Sequence, residues 1–263
     1  MNEQAEQPIH YEVVDGCATI TINNPDRRNV LDAASIIGLR QALATAAEDD
    51  GVRVVVLTGA GNTFCAGADL SGATGGDADS FAGSGPRALV ALLEDLLDHP
   101  KPTIAKVQGH VAGGGNGLVA ACDLAVASAA AKFAFSEVRV GVAPAVISVV
   151  CLDRMNRASG YELLLTGDRV TAERVVAAGL VTKAVPPEEL DASVAELVGK
   201  LLLGGPEALT ATKKLLRQVP TMSRADAFAW TADISAQLFS SDEAREGMTA
   251  FLSRRAPSWA PPA

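Results

Sequence analysis

Apolar and polar residues alternate near the start of the chain with the period of two that β-strands show. The stretch IHYEVVDGCATITI, residues 9–22, contains two such runs, which are separated by Asp15 and Gly16. An Asp-Gly pair favours the type I′ turn of a two-residue hairpin. The sequence therefore predicts a β-hairpin over residues 9–22.

Helical and buried-strand patterns follow the hairpin. Asp32 can cap a helix, and a long run rich in apolar residues follows it. The sequence therefore predicts a helix that begins after Asp32. The β-branched run VRVVVLTG, residues 52–59, is typical of a buried strand. Further segments complete this region: a predicted helix at 87–97 and predicted strands at 103–109, 124–128 and 132–137. The glycine-rich stretch 71–86 cannot pack tightly, and we expect it to be mobile.

From Ser159 onward the pattern is mainly helical. The segment 171–179 begins at a threonine that can cap a helix and ends at a glycine. Three longer helical stretches follow, at 186–203, 206–219 and 223–255. This order predicts an α/β fold, with a core in residues 1–200 and a helical segment in residues 201–263.

The final helical stretch carries an apolar stripe. Its members are Leu238, Phe239, Met248, Phe251 and Leu252. Such a stripe on a surface helix has to be buried against something, and a second subunit is the expected partner.

Composition narrows the class of protein. The chain has 263 residues, 48% of them hydrophobic, and a net charge of −9. No broad basic field is available to neutralise the phosphates of a nucleic acid, so we expect no nucleic-acid partner. The acidic, polar start of the chain does not resemble a signal peptide, and no uninterrupted apolar run reaches the ~18 residues of a membrane span. These features predict a soluble, cytoplasmic protein.

Cysteine and histidine usage gives no sign of a metal site. Cys17, Cys65, Cys122 and Cys151 lie far apart in the sequence and form no CxxC pair. The chain has only three histidines, and none is spaced as zinc ligands usually are. We therefore expect reduced, buried thiols and no bound metal.

The stretch HVAGGGNGLVAACD, residues 110–123, is the first candidate for chemistry. A turn so rich in glycine can bring backbone N–H groups close to a negative group. Gly115, Gly117 and Ala120 match a relaxed dinucleotide fingerprint, but this match is weak and lies in the middle of the chain. The sequence contains neither the phosphate-binding GxxxxGK[ST] loop nor the GxSxG nucleophile turn.

A second turn of the same kind occurs in TFCAGADL, residues 63–70. Each turn follows a strand and contains glycine next to small residues. Two such turns can direct two backbone N–H groups at a single oxygen. This arrangement is an oxyanion hole, and it suits a thioester carbonyl that becomes an enolate.

Several segments together resemble the enoyl-CoA hydratase/isomerase (crotonase) superfamily. In sequence order they are NNPDRRNVLDA, FCAGADL, HPKPTIAKVQGHVAGGGNGLVAACDLAVAS, FAFSEVRVGVAP, LLLTGDRVTAERVVAAGLVTKAV and EGMTAFLSRRAP. Among members, bacterial enoyl-CoA or methylglutaconyl-CoA hydratases are the most similar. The resemblance implies a crotonase-like ββα spiral core, followed by a C-terminal helical segment that forms homotrimers or homohexamers.

The resemblance also implies catalytic roles. The N–H groups of Ala68 and Gly114 correspond to the family's oxyanion hole, and Glu137 corresponds to one of its two glutamates. Gly117 stands where many family hydratases carry the other glutamate. A single carboxylate can still take a proton from one carbon and return it to another, so this departure keeps isomerisation in play beside hydration.

Further positions are implied to bind the substrate: Arg27, Arg28, Ala66, Asp69, Leu70 and Gly115. Arg254 and Arg255, near the end of the chain, are additional candidates for contact with CoA. By contrast, we expect His110 to be a hydrogen-bonded interior histidine and Asp123 to be structural. Asp69 could equally cap a following helix.

Four hypotheses about function remain. The first is an enoyl-CoA hydratase, a lyase of fatty-acid or related acyl-CoA metabolism. The second is a Δ3-Δ2 enoyl-CoA isomerase that uses the same residues. The third is a non-catalytic acyl-CoA-binding protein, and the fourth is a nucleotide-dependent oxidoreductase. For the first two we expect no cofactor, because coenzyme A is part of the substrate.

Overall fold

In the computed structural model, helices pack around two β-sheets, which confirms the predicted α/β fold. The structure describes residues 8–68 and 85–261. The strands of the first sheet are β1 (Ile9–Val14), β2 (Cys17–Ile22), β3 (Val54–Gly59), β5 (Thr103–Val107), β7 (Leu124–Ser128) and β10 (Lys183–Val185). They lie in the order β1-β2-β3-β5-β7-β10. The pair β1-β2 is antiparallel, and the pairs that follow along the sheet are parallel.

The second sheet has four short strands and carries the candidate chemistry. They are β4 (Thr63–Cys65), β6 (His110–Ala112), β8 (Lys132–Ala134) and β9 (Arg169–Thr171), in the order β4-β6-β8-β9. The strand that the sequence predicts over 103–109 ends at Val107 as β5, and β6 of the second sheet begins at His110. A Cβ on Gly109 would lie 1.9 Å from the Asn62 carbonyl oxygen, so only glycine allows the chain to pass there.

The described helices pack around these sheets. They are α1 (Ala33–Glu48), α2 (Pro86–Leu97), α3 (Gly114–Ala121), α4 (Ala145–Arg154), α5 (Arg157–Thr166), α6 (Ala172–Ala178), α7 (Leu190–Leu202), α8 (Pro206–Gln218), α9 (Arg224–Phe239) and α10 (Asp242–Leu252). The predicted helix starts are confirmed. The Asp32 carboxylate accepts a hydrogen bond from the Ser35 N–H at 2.9 Å, and the Thr171 hydroxyl accepts one from the Arg174 N–H at 3.3 Å.

The predicted hairpin is also confirmed. Asp15 and Gly16 both have positive φ angles, of 48° and 79°, as a type I′ turn requires. Val14 lies opposite Cys17 in the register, so the turn contains just these two residues.

Strand β3 lies at the centre of the core, and all six of its residues are buried. Val55 and Leu57 belong to the larger hydrophobic cluster, whereas Val54 and Val56 belong to a smaller one that includes residues of α7. A parallel sheet covered on both faces needs apolar residues at successive positions. This explains why the sequence shows a continuous apolar run here and no alternation.

Helix α8 is attached to the core by an ion pair whose lysine is buried and whose aspartate side chain is 28% exposed. The Lys213 Nζ lies 2.8 Å from the Asp123 Oδ2, and the Lys213 residue is 8% exposed. Asp123 also accepts a hydrogen bond from the Thr103 N–H at 2.7 Å. Removing one partner of such a pair typically costs ~3–5 kcal/mol, because the other charge stays buried. Asp123 thus has the structural role that the sequence suggests.

The apolar stripe of the last two helices faces solvent in the single chain. Phe239, Phe251 and Leu252 are 70%, 80% and 81% exposed. The division of the chain at residue 200 and the burial of this stripe by other subunits stay predictions.

Candidate active site

The turn after β4 places one backbone N–H group of the site. Gly67 has a φ of 88°, a conformation that favours glycine. Its carbonyl accepts a hydrogen bond from the Leu31 N–H at 2.8 Å, and the Ala66 N–H donates to the Arg28 carbonyl at 3.1 Å. These two bonds fix the turn against the segment before α1. The N–H of Ala68, the next residue, takes part in neither bond.

The turn after β6 places the second N–H group. The Gly113 N–H donates to the Ala134 carbonyl at 3.2 Å, and Gly114 then begins helix α3. Because no helical carbonyl precedes it, the Gly114 N–H has no partner within the helix. The positive end of the helix dipole also lies here, so this turn favours a negative group.

The two turns touch each other. A Cβ on Gly67 would lie 2.8 Å from the Ala112 carbonyl oxygen and 3.1 Å from the Gly114 nitrogen. The first distance is too short for a side chain and the second is tight, so glycine at 67 is what allows this approach. The structure thus brings the turns that carry Ala68 and Gly114 together, as the sequence predicts for two donors to one oxygen.

Glu137 lies beside this pair of turns, in the 3-10 turn Ser136–Val140 that follows β8. A Cβ on Gly113 would be 3.5 Å from the Glu137 Oε1, so the carboxylate lies against the turn after β6. Among the described residues the buried Oε2 has no hydrogen-bond partner. Burial raises the pKa of this carboxyl group, and a hydrogen bond to the backbone opposes the shift. A partly buried carboxyl with a free oxygen and a raised pKa can accept and return a proton.

The surroundings of Gly117 are different from those of Glu137. A Cβ on Gly117 would lie 2.7 Å from Ile147 Cγ2 and 3.4 Å from Leu93 Cδ2. Ile147, on α4, is 2% exposed. Carbon atoms of α2 and α4 therefore fill the space that a side chain at 117 would enter. Ile147 carries no local signal in the sequence, because nothing in a single sequence shows which residue of α4 faces α3.

Arg27 and Arg28, in the segment before α1, lie on the surface. Arg28 is exposed and has a φ of 56°, and the Arg27 guanidinium lies 2.9 Å from the Asp32 carboxylate. Gly115 is buried, and a Cβ there would lie 2.6 Å from the Cys65 carbonyl oxygen, so this residue allows α3 to pack on β4. Whether Arg27, Arg28, Ala66 and Gly115 contact a ligand stays a prediction.

Three other expectations can be compared with the structure. His110 is only half-buried and its Nδ1 has no partner among the described residues, so the expectation of a fully hydrogen-bonded interior histidine is wrong. Arg254 and Arg255 lie just beyond α10, and Arg255 makes two 2.7 Å contacts with the Glu246 carboxylate. Asp69, Leu70 and most of the glycine-rich stretch 71–86 lie outside the described residues.

Neither a membrane helix nor a metal cluster is found in the described part of the chain. No helix within residues 8–68 and 85–261 is long and apolar enough to cross a membrane. Over the same residues, no three His, Cys, Asp or Glu side chains are grouped as metal ligands would be. The independence of cofactors and the cytoplasmic location stay predictions.

Comparison with known proteins adds a second line of argument. A family model described as enoyl-CoA hydratase/isomerase matches residues 12–262. A putative enoyl-CoA hydratase of Thermus thermophilus is 35% identical over 244 residues, which cover 91% of this chain and 96% of that protein. An enoyl-CoA hydratase of Mycobacterium tuberculosis is 34% identical over 244 residues and covers 91% of each chain. The crystal structure of an enoyl-CoA hydratase of Mycobacterium smegmatis superimposes with a TM-score of 0.91 at 32% identity, covering 97% of this chain and 99% of that one.

Proposed function

Because the chain belongs to the enoyl-CoA hydratase/isomerase family, we propose that it adds water to the double bond of a 2-enoyl-CoA thioester. Family membership and the crotonase-like α/β fold confirm the corresponding sequence predictions. Relatives named as hydratases support a hydratase/isomerase-type enzyme that acts on an acyl-CoA thioester.

In the proposed reaction the thioester oxygen is bound by the N–H groups of Ala68 and Gly114. As water attacks the β-carbon, negative charge moves onto that oxygen and an enolate forms. Two fixed donors stabilise this charge without reorganising, and removing one such donor typically costs ~3–4 kcal/mol of transition-state stabilisation. The contact between the Gly67 and Gly114 turns supports this assignment.

Glu137 moves the proton. Its carboxylate accepts a proton from the attacking water while the water oxygen bonds to the β-carbon. The same carboxyl group then returns that proton to the α-carbon, the enolate collapses to the thioester, and the product is a 3-hydroxyacyl-CoA. One water molecule is thereby added, with its hydroxyl on the β-carbon and its proton on the α-carbon. No redox step or cofactor enters this scheme.

One observation carries the proposal more than any other. The Glu137 Oε2 is buried and unpartnered among the described residues, and the Oε1 of the same side chain lies against the oxyanion turn. A buried polar atom without a partner costs free energy, so a functional role is the expected reason for it. A substrate bound at the two turns would lie next to the Oε1 of the same carboxyl group.

Isomerisation is the second candidate, and the surroundings of Gly117 favour it. With Ile147 and Leu93 beside Gly117, no second carboxylate can reach the substrate from that position. Glu137 alone would remove a proton from the α-carbon of a 3-enoyl-CoA and return it to the γ-carbon. The oxyanion hole would stabilise the intermediate dienolate in the same way.

We expect the active form to be a homotrimer or homohexamer. The exposed side chains of Phe239, Phe251 and Leu252 support this, because an apolar face of this kind is rarely left to solvent. The sequence-based expectation of residence in the cytoplasm is retained.

The deciding experiment compares three substrates with the purified enzyme. Crotonyl-CoA and 3-methylglutaconyl-CoA should lose their enone absorbance if the enzyme is a hydratase. A 3-enoyl-CoA should gain enone absorbance if it is an isomerase. Glu137→Gln serves as the control in each case. Absence of turnover with all three, despite tight binding of acyl-CoA, would favour the non-catalytic alternative instead.

A further inference from the structure

Asn29 and Asn116 are both completely buried, but they differ in how their side chains are hydrogen-bonded. Every polar atom of the Asn29 side chain has a partner, since Nδ2 donates to the carbonyls of Ala60 and Thr63 and Oδ1 accepts from a backbone N–H. The Asn116 Oδ1, in α3, has no partner among the described residues. A buried amide oxygen without a hydrogen bond costs free energy, so packing alone does not explain an asparagine at 116.

The other polar atom of the Asn116 side chain is used. Its Nδ2 donates to the Ala134 carbonyl at 2.8 Å, and the same carbonyl accepts from the Gly113 N–H at 3.2 Å. The backbone N–H of Asn116 donates to the Gly113 carbonyl at 2.9 Å. One donor leaves a carbonyl free to tilt about the hydrogen bond, whereas two donors restrict its direction. Asn116 therefore connects the turn after β6 firmly to the end of β8.

The end of β8 leads directly to Glu137. Ala134 is the last residue of this strand, and Glu137 follows it three residues later in the 3-10 turn. Phe135, between them, is fully buried. Gly113 contacts both ends of this short segment, because its N–H binds Ala134 and a Cβ on it would lie 3.5 Å from the Glu137 Oε1. The place of the Glu137 carboxyl relative to the turn thus depends on how firmly Ala134 is held.

Cys151, on α4, connects Asn116 and Glu137 from another side. Its buried thiol donates to the Asn116 carbonyl, with 3.6 Å between sulfur and oxygen. Burial raises the pKa of this thiol, and the charge of Glu137 raises it further. Asn116 and Glu137 therefore belong to one cluster, to which α3, α4 and the segment after β8 all contribute.

From these contacts we infer that Asn116 is a positioning residue. Its Nδ2 holds Ala134, and through Ala134 the Glu137 carboxyl, at a fixed distance from the Gly113-Gly114 turn. Proton transfer to a substrate whose oxygen is bound at that turn needs this spacing to within about 0.5 Å. A displacement of about 1 Å can cost ~100-fold in rate. The kinetic consequence rests on the proposed function, whereas the placement of the carboxyl by Asn116 does not.

Asn116→Leu tests the inference, because it replaces the amide by carbon groups of similar size. The Ala134 carbonyl keeps the Gly113 N–H and the unpartnered Oδ1 is removed, so no buried polar group is newly left without a partner. We expect a melting temperature equal to or above that of the wild type. For whichever of the three test substrates the wild type turns over, kcat should fall about 10- to 100-fold, with KM almost unchanged. Wild-type kcat in this variant would overturn the inference.

The matched control is Asn156→Leu, at an asparagine outside this cluster. Asn156 caps α5, since its Oδ1 accepts from the Ser159 N–H at 3.0 Å. Loss of this cap should give the opposite pattern, a lower melting temperature with unchanged kcat. If Asn116→Leu does not fold, Asn116→Ala takes its place, because it removes the amide without adding volume. The same loss of kcat is expected there, and wild-type kcat would again overturn the inference.

Crystal structures of the wild type and both leucine variants decide the placement without any turnover. The Glu137 Oε1 should lie about 0.5 Å or more further from Gly113 in Asn116→Leu, and it should keep its place in Asn156→Leu. An unmoved carboxyl in Asn116→Leu would overturn the inference. A wild type that turns over no acyl-CoA would overturn the proposed function instead, and the two crystal structures would still decide the role of Asn116.

Discussion

Helix α3 has two neighbouring regions that are built in opposite ways. Near its first residue, Glu137 keeps a buried oxygen without a partner, beside the Gly113-Gly114 turn. One turn further along, Gly117 faces Ile147 and Leu93, and carbon atoms occupy the space around it. In the first region a buried oxygen without a hydrogen bond costs free energy. In the second region the apolar side chains make ordinary packing contacts. In the proposed mechanism Glu137 is therefore the one carboxylate that moves the proton, while apolar side chains occupy the space beside Gly117.

The largest expected effect follows from removing the ionisable group of the first region. Glu137→Gln should reduce kcat by at least ~100-fold, the lower end for general acid–base catalysis, because no other described side chain is placed to move the proton. The affinity for acyl-CoA should barely change, since the backbone donors remain. Steady-state kinetics and calorimetric binding measure the two quantities, with the exposed Glu189→Gln as a matched control. Wild-type turnover by Glu137→Gln would contradict the mechanism.

The next effect concerns the backbone donor between the two regions. Gly114→Pro removes the N–H group, and proline is well tolerated at the first position of a helix. We expect a ~100- to 1,000-fold loss of kcat with retained folding by circular dichroism. Gly114→Ala is the control, because it keeps the N–H and adds a Cβ 3.2 Å from the movable end of Leu31. Equal activity of these two variants would show that the oxyanion hole lies elsewhere.

A glutamate at position 117 would give the packed region an ionisable group as well. Gly117→Glu alone should lower the free energy of unfolding by ~1–3 kcal/mol, because its Cβ would overlap Ile147. Combining it with Ile147→Ala makes room, and we expect the double variant to hydrate crotonyl-CoA about tenfold faster than Ile147→Ala alone. Thermal unfolding and initial rates check both steps. A well-folded double variant with slower hydration would favour isomerisation as the native reaction.

A smaller effect should appear in stability rather than in rate. Burial raises the pKa of Glu137 in the folded state above its value in the unfolded chain. Between these two values the folded state holds a proton that the unfolded state has lost, so the free energy of unfolding falls as pH rises through this window. Since glutamine does not titrate, Glu137→Gln should melt at a higher temperature than wild type at neutral pH. The difference should shrink as the pH falls and vanish well below about pH 4, where both states of the wild type are protonated.

The acid limb of the rate profile tests the same shift. The proposed first step needs the carboxylate form, so kcat/KM should fall with decreasing pH at a midpoint above that of an exposed glutamate. A midpoint at the ordinary value would indicate that Glu137 is solvated in the working enzyme.

Removing metals and nicotinamide should have no effect on the rate. Neither region of α3 uses a metal or a nicotinamide in the proposed mechanism, so exhaustive chelation and desalting should leave the rate unchanged. A metal or nicotinamide present in stoichiometric amount, whose removal abolishes turnover, would contradict this prediction.

Local signals in the sequence were sufficient for much of the fold and for the backbone part of the site. Asp15-Gly16, Asp32 and Thr171 each act on residues within four positions, so their effect on the chain can be predicted without knowing the tertiary structure. The two glycine turns belong to the same class, since glycine can adopt the positive φ of Gly67 and Gly113 without a steric penalty.

Contacts between distant segments could not be predicted in this way. Ile147 lies thirty positions from Gly117, and only the packing of α4 on α3 brings them together. The break at Gly109, which moves His110 into the second sheet, depends on the approach of the Asn62 carbonyl. The pairing of Arg255 with Glu246 likewise arises from how the chain turns after α10. Each of these outcomes depends on tertiary geometry that no local pattern encodes.

A pair of main-chain donors also has an evolutionary consequence. Nearly every codon change at position 68 or 114 leaves the amide hydrogen in place, and only replacement by proline deletes it. Mutation can therefore damage the proposed oxyanion hole mainly by altering the path of the backbone. A change of side chain at 117, 137 or 147 can alter the chemistry around the proposed oxyanion hole while leaving both of its donors in place. Proteins built in this way can acquire new reactions on a thioester while they keep the two donors that would stabilise negative charge on its oxygen.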